Sequence, residues 1–265
     1  MTELTHIAPH GPAAAFFDLD RTLISGSSAF VFGVAAWRAD MMKGGQLVRD
    51  GLGALGFKLF GDLGGNGAER VRERILGAVQ GSEQAVLLSL NETVLPKLLE
   101  RVRPESKELI EKHRERGHAT YIVSASPKEL VGPLALALGM TDGIGTVSKV
   151  VDGRYTGDLD GPFCYGPGKV EAIASLARWE GFDLQQCYAY SDSISDLPML
   201  EAVGHPVAVN PDTKLERIAT RRSWPVVIFN RRTKAVIRRT TAGVGTVALA
   251  AGSFSAGWKL SARRR

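Results

Sequence analysis

The first clear pattern along the chain is an apolar run, Ala14-Ala15-Phe16-Phe17, that stops at Asp18-Leu19-Asp20-Arg21-Thr22-Leu23. A short apolar run without alternation predicts a strand buried on both faces, as in a parallel sheet. Its polar tip then lies at the strand's carboxyl end, where open α/β sheets bind ligands. After a turn-rich link, residues 24–28, the pattern is helical as far as about residue 103. Helices are predicted over 30–37, 44–60, 68–79 and 82–101, broken up by Gly51, Gly53, Gly56, Gly61 and Gly64-Gly65-Asn66-Gly67. No strand-like alternation occurs there. A strand–helix rhythm follows. Pro104 opens a helix that ends before Gly117. Residues 119–123 form a strand ending at Ser124, and Pro127 opens a helix that stops at Gly139. Short strands and a hairpin around Asp152-Gly153 occupy 143–159. A helix over 168–179, a strand over 187–190, a helix over 194–203, a strand over 206–209, a helix over 213–220 and a strand over 225–229 complete the pattern. The alternation predicts an α/β fold with a doubly wound parallel sheet. Residues 12–25 and 104–230 form its core, 26–103 an inserted all-helical cap over the site, and 231–265 a C-terminal tail.

Composition adds a boundary and a charge asymmetry. Of 265 residues, 44% are hydrophobic and 23% charged, as in an ordinary globular protein. Cys164 and Cys187 form neither a disulfide framework nor a metal-ligand spacing, and residues 1–12 lack the features of a signal peptide, so a cytoplasmic setting is expected. From Lys214 onward there are 13 Lys and Arg against one acid, Glu216, while the rest of the chain holds 20 bases and 27 acids. The tail is strongly basic and the body mildly acidic. A basic tail suits anionic lipid headgroups and, less well, nucleic acid. Residues 240–258 carry no charge, and as a helix would extend about 28 Å, just short of a bilayer core. They are mostly Ala, Gly, Ser and Thr, so insertion would be marginal. A loose tail, a surface-lying helix and a weak membrane anchor are all compatible with that composition.

The chemistry sits at strand ends and helix starts: Asp18 with Asp20, Ser124, Lys169, and Asp192 with Asp196. A parallel sheet brings successive strand ends to one edge, so these residues are expected to meet. Close carboxylates repel unless a cation lies between them, which points to Mg²⁺. With it, the set suits phosphoryl transfer: a carboxylate nucleophile, a hydroxyl and a lysine for the phosphate oxygens, and a second carboxyl to move protons. Each residue also has a plainer reading. Asp-x-Asp can be a solvated turn, Ser124 a turn hydroxyl, Lys169 a surface lysine, and Asp192 and Asp196 helix-capping acids. His6, His10, His113, His118 and His205 make no ligand spacing and are read as surface or core. No Gly-x-Ser-x-Gly elbow, Walker loop or dinucleotide fingerprint is present.

Taken in order, these motifs resemble the haloacid dehalogenase superfamily, subfamily IB, the branch that includes phosphoserine phosphatase. Asp-Leu-Asp-Arg-Thr-Leu is similar to its first motif, Ser124 after Tyr121-Ile122-Val123 to the second, Lys169 to the third, and Tyr190-Ser191-Asp192-Ser193-Ile194-Ser195-Asp196 to the fourth. The resemblance implies that Asp18 is the nucleophile and Asp20 the general acid and base. It implies that Asp18, Asp192 and the backbone carbonyl of Asp20 hold Mg²⁺, that Ser124 and Lys169 bind phosphate, that Asp196 orients Lys169 and metal-bound water, and that Thr22 with Asp20 shapes the turn. The substrate would be a small metabolite or lipid-headgroup phosphate. Two departures bear on specificity. Residues 24–27 read Ile-Ser-Gly-Ser, without the glutamate that grips the amine in phosphoserine enzymes, and Ser191 and Ser195 replace a glycine and an asparagine of the fourth motif. Arg72 and Arg74 resemble a substrate-carboxylate segment, although a solvated helix face explains them equally. The competing reading of the whole set is a phospho-acceptor signalling module without turnover; Asp20 and the helical insertion argue against it.

Overall fold

The computed structural model describes residues 13–39, 67–229 and 236–238. The helix predicted over 44–60 and nearly all of the basic tail lie outside them. Strand β1 (Ala14–Phe17) comes first, and Phe16 and Phe17 on its opposite faces are both fully buried. Each such side chain contributes about 2–3 kcal/mol, so the strand has to be internal. Helices α1 (Ser28–Arg38), α2 (Gly67–Val79), α3 (Gln84–Ser89) and α4 (Asn91–Leu99) follow. The single helix expected over 82–101 is therefore two, meeting at Leu90. Helix α5 (Pro104–Glu115) has Pro104 in its first turn and is closed by Gly117 at φ 73°.

Strand β2 (Ala119–Pro127) runs four residues beyond the expected stop at Val123. It does so through a register shift against its neighbour between Val123 and Pro127. Then come α6 (Lys128–Ala137), β3 (Asp142–Thr146) and the antiparallel hairpin of β4 (Ser148–Val151) and β5 (Arg154–Leu159). Asp152 and Gly153 both have positive φ, as a tight two-residue hairpin turn requires. The chain ends in α7 (Pro167–Glu180), β6 (Tyr188–Ser191), α8 (Leu197–Glu201), β7 (His205–Val209), α9 (Thr213–Arg221), β8 (Val226–Ile228) and β9 (Val236–Arg238). The helix expected over 194–203 is a 3-10 turn, Ile194–Asp196, followed by the short α8.

The sheet order is β3-β2-β1-β6-β7-β8-β9. The first six strands are parallel, and β9 pairs antiparallel on the β8 edge. This is a doubly wound α/β sheet. Strand β9 falls within the stretch read as tail, so the sheet extends past residue 230. The order reverses at β1, between β2 and β6, which opens the ligand crevice at their carboxyl ends. Side-chain alternation splits the core into two layers. One layer packs Ala15, Phe17, Ile122 and Tyr190 with residues of α1 to α6, including Val31, Val94 and Leu98. The other packs Phe16, Tyr121, Val123 and Ala189 with residues of α7 to α9.

His113 and His118, five residues apart, gather with the distant His205 and with Tyr188 and Tyr190 beside β6. His113 Nε2 bonds the Tyr190 hydroxyl at 2.8 Å, and its ring lies edge-on to Phe17. Among the described residues no helix is long and apolar enough to cross a membrane.

Candidate active site

The backbone builds the site before any side chain does. Beyond β1, Leu23 N–H bonds the Asp18 carbonyl, Ile24 N–H the Leu19 carbonyl, and Arg21 N–H the Gly26 carbonyl. These bonds curl residues 18–26 into a compact loop. Arg21 lies at its apex with φ 63°, a left-handed conformation that costs a non-glycine residue about 1–2 kcal/mol. The curl ends the strand at Asp18 and sets the Asp20 carboxyl against the Ser28 N–H at the start of α1. The Thr22 Oγ1 is buried without a hydrogen-bond partner among the described residues, and backbone bonds close the loop.

Lys169 crosses from α7 to meet β1. Its Nζ lies 2.7 Å from Asp18 Oδ1 and 2.8 Å from Asp196 Oδ2, and the lysine is 3% exposed. Burial works against its charge, but the two carboxylates raise its pKa nonetheless. Lys169 is placed by Pro167 in the first turn of α7 and by Gly168, where a Cβ would come within 1.8 Å of the Phe163 carbonyl oxygen. Asp196 also accepts the Ser191 hydroxyl at 2.7 Å.

Asp192 lies just past β6, with its Oδ2 2.9 Å from Arg21 Nε. Burial pushes its carboxyl up to about 7; Arg21 lowers it, and Asp196 and Asp212 push it up again. Burial likewise raises Asp18 well above the carboxylate range, against the pull of Lys169 and with further upward pushes from Asp196, Asp192 and Asp20. Asp196 stands at the N-cap position of α8 and in the first turn of the 3-10 helix, but its side chain makes no cap bond. Ser193 takes the Ser195 N–H, and Asp212 takes the Ile194 N–H at 2.8 Å.

Asp20 Oδ1 accepts the Ser28 N–H, at the first residue of α1, at 2.6 Å. Burial raises the Asp20 carboxyl, and the Ser28 N–H and hydroxyl pull it back. Ser124 is buried within β2 and accepts the Ser126 N–H at 3.2 Å. The buried Cys164 thiol nearby is pushed up to about 11 by burial, with Lys169 pulling it down and Asp196 and Asp18 pushing it up. The structure thus brings Asp18, Asp20, Lys169, Asp192 and Asp196 into one charged group, with Ser124 joined to it through Ser126 and Ser28. Arg72 is elsewhere. It pairs with Glu69 on its own helix, both exposed, and is not linked to this group by a hydrogen bond or ion pair among the described residues. The Arg74 side chain lies outside the description.

Several residues of this group escaped the sequence reading. Asp212 caps α9 through the Leu215 N–H and also receives Ile194 N–H, while its own N–H bonds the Asp192 carbonyl at 2.8 Å. An Asp just ahead of a helical run is an N-cap signal, and that signal was available. Ser28 and Ser126 carried none.

Among the described residues no cluster of three or more Asp, Glu, His or Cys side chains is arranged to hold a metal ion. Asp192 lies near enough to Asp18 for its charge to raise the Asp18 carboxyl. The charge of the site suits a cation: among the described residues the ion pairs of Asp18, Asp20, Asp192 and Asp196 are with Lys169 and Arg21.

Similarity to known proteins agrees with this geometry. The model of the haloacid dehalogenase-like hydrolase family matches residues 15–201. The chain belongs to that family. A Mycobacterium tuberculosis (strain ATCC 25618 / H37Rv) protein named probable phosphatase is 41% identical over 258 residues, 94% of this chain and 89% of the relative. A protein of the same organism named phosphoserine phosphatase is 39% identical over 228 residues, 84% of this chain and 73% of the relative. The crystal structure of a protein of unknown function from Bordetella pertussis Tohama I matches with a TM-score of 0.71 at 27% identity, covering 81% of this chain and 97% of that one. By this kinship the haloacid dehalogenase-like chain is a phosphoric monoester hydrolase.

Proposed function

We propose that this hydrolase cleaves a small phosphomonoester through a phospho-aspartate on Asp18, with Asp20 as acid and base. The observation that carries the reading is the buried Lys169, bridging Asp18 and Asp196 at 2.7 and 2.8 Å. A fully buried lysine between two carboxylates contributes little net stability compared with an apolar substitute. Its position suits a group that holds phosphate oxygens and the charge of a transition state. Asp18 attacks phosphorus while the bond to the ester oxygen breaks, and Asp20 gives that oxygen its proton. A water then attacks the aspartyl phosphate as Asp20 takes the water's proton. The Asp18–phosphorus bond breaks, phosphate leaves, and both carboxyls return to their starting states. The raised pKa of Asp20 agrees with a group that is protonated in one step and ionised in the next.

Asp18, Asp192 and the Asp20 backbone carbonyl would hold Mg²⁺, which when bound offsets the charge of phosphate and carboxylates. The Ser124 hydroxyl and the Lys169 ammonium take the remaining phosphate oxygens, with Asp196 fixing the lysine. Helices α1 to α4 act as the cap that chooses the substrate. That substrate is a metabolite or a lipid-headgroup phosphate. The relative named phosphoserine phosphatase puts phosphoserine among the candidates. Against it, no acid stands at residues 24–27 to pair with an amine.

Steady release of p-nitrophenol from p-nitrophenyl phosphate tests the reading. It should require Mg²⁺, stop with chelator, and fall at least about 1,000-fold in Asp18→Asn. A single stoichiometric phosphorylation without turnover would make the chain a phospho-acceptor module instead. A panel of phosphoserine, glycerol phosphate, sugar phosphates and lysophospholipid then ranks the substrates.

A further inference from the structure

A buried pair of hydroxyls joins the two halves of this site. Ser28 Oγ lies 2.9 Å from Ser126 Oγ. Ser28 is the first residue of α1 and is completely buried; Ser126 is 8% exposed. Each is also tied to a residue already given a role. The Ser28 N–H holds Asp20 Oδ1 at 2.6 Å, and the Ser126 N–H holds Ser124 Oγ at 3.2 Å. The result is a continuous path from Asp20 through Ser28 and Ser126 to Ser124. It crosses from the loop after β1, over the start of α1, to the end of β2.

The backbone is shaped to make this path. Ser126 sits where β2 breaks register with β3, and such irregularities re-aim side chains beside active sites. Gly145 on β3 permits it, since a Cβ there would come within 2.7 Å of the Ser126 carbonyl oxygen. Thr146 Oγ1 secures the same stretch by bonding the Ala125 carbonyl at 2.8 Å. Ser27, ahead of α1, makes no side-chain cap bond, so Asp20 receives the Ser28 N–H at that helix start.

We propose that Ser28 and Ser126 are positioning residues that lock the Asp20 carboxyl against the leaving-group oxygen while the phosphate is seated on Ser124. The inference rests on the reading of Asp20 as the acid. The short bond from the Ser28 N–H, with the Ser28 hydroxyl beside it, leaves the Asp20 carboxyl little freedom to rotate. The hydroxyl is in turn fixed only while Ser126 accepts or donates. A phosphate that settles on Ser124 therefore finds the acid already aimed. The same bonds tie the first turn of α1 to the phosphate side of the crevice.

Ser28→Ala keeps the backbone N–H and removes only the hydroxyl, and Ser126→Ala removes the other end of the same bond. Both are assayed with p-nitrophenyl phosphate and with phenyl phosphate. The two esters have nearly the same shape, but phenolate, with a phenol pKa of about 10, depends far more on protonation as it leaves. In each variant kcat on phenyl phosphate should fall about tenfold or more. On p-nitrophenyl phosphate it should fall less than about threefold, with KM nearly unchanged on both. Ser28→Thr should restore most of the loss, and the double variant should be no worse than the weaker single one. Equal losses on both esters, or none on either, would overturn the inference. If the wild-type protein turns over neither ester, or Asp18→Asn turns over both normally, the assignment of Asp18 and Asp20 is itself wrong. Normal wild-type turnover with parallel losses in the serine variants sinks only the role of the serines.

Discussion

At the scale of single residues, Arg21 shows how one side chain can serve against its backbone preference. It accepts a left-handed φ of 63° while its guanidinium occupies Asp192 Oδ2 at 2.9 Å. Glycine adopts that conformation freely. Arg21→Gly should relieve the loop and release Asp192, for which a divalent cation otherwise has to compete with the guanidinium. The Mg²⁺ concentration for half-saturation should drop about fivefold, read by calorimetric titration without substrate, because a removed competitor of about 1 kcal/mol corresponds to that factor. An unchanged titration would mean that Arg21 and the cation do not share Asp192. Residues of this kind separate what the sequence disclosed from what it hid. Asp18, Asp20, Lys169 and the Asp192–Asp196 pair stood at strand ends or helix starts, so topology alone assembled them. The contacts of Arg21, Ser28, Ser126 and Asp212 depend on loop curvature and register, which apolar periodicity does not encode.

At the scale of elements, local packing sets what the site tolerates. Gly168 begins the turn that carries Lys169, and no Cβ fits beside the Phe163 carbonyl. Gly168→Ala should shift the start of α7, lower the urea midpoint by the equivalent of about 2–3 kcal/mol, and reduce turnover along with it. Proportionate loss of both in melts and assays is the check. The histidine cluster behind β6 gives a pH effect of definite sign. Burial lowers His113 from 6.5 to about 3, with His118 and Arg116 adding to the effect. Its neutral form is therefore the folded form. The contribution is complete above about pH 6.5 and is lost progressively as pH falls toward 3, because the unfolded chain takes up the proton first. Stability should decline by at most about 1.4 kcal/mol per pH unit across that window, and His113→Gln should flatten the slope in urea melts. The cluster was invisible in sequence because no fixed spacing joins residues 113, 118 and 205. Element types were better disclosed than their ends. The run of β2 to Pro127 follows its pairing with β3, the 3-10 turn at Ile194 comes with an N–H bond to Asp212, and the break at Leu90 stands beside Asn91, whose side chain bonds the Glu129 carbonyl. Strand β9 went unseen because three residues among many bases carry no periodicity.

At the scale of the whole molecule, strand–helix alternation was enough to predict a doubly wound sheet, since few other arrangements bury so many short apolar strands. The sheet order has a further consequence, for the time course of folding. Strand β1, ahead of the other strands in sequence, is an interior one: Ala14 pairs with Ala119 and Ala15 with Tyr188. Contacts so distant along the chain are slow to close. A nascent chain halted before residue 119 holds β1 with neither partner, and one halted before residue 188 holds half a crevice and no Asp192. Ribosome-stalled chains should therefore stay protease-sensitive until β6 has emerged, and then become resistant in a single step. Early resistance would show that the N-terminal helices fold without the sheet. The order of synthesis would then make the phosphate-handling centre among the last parts of the protein to exist.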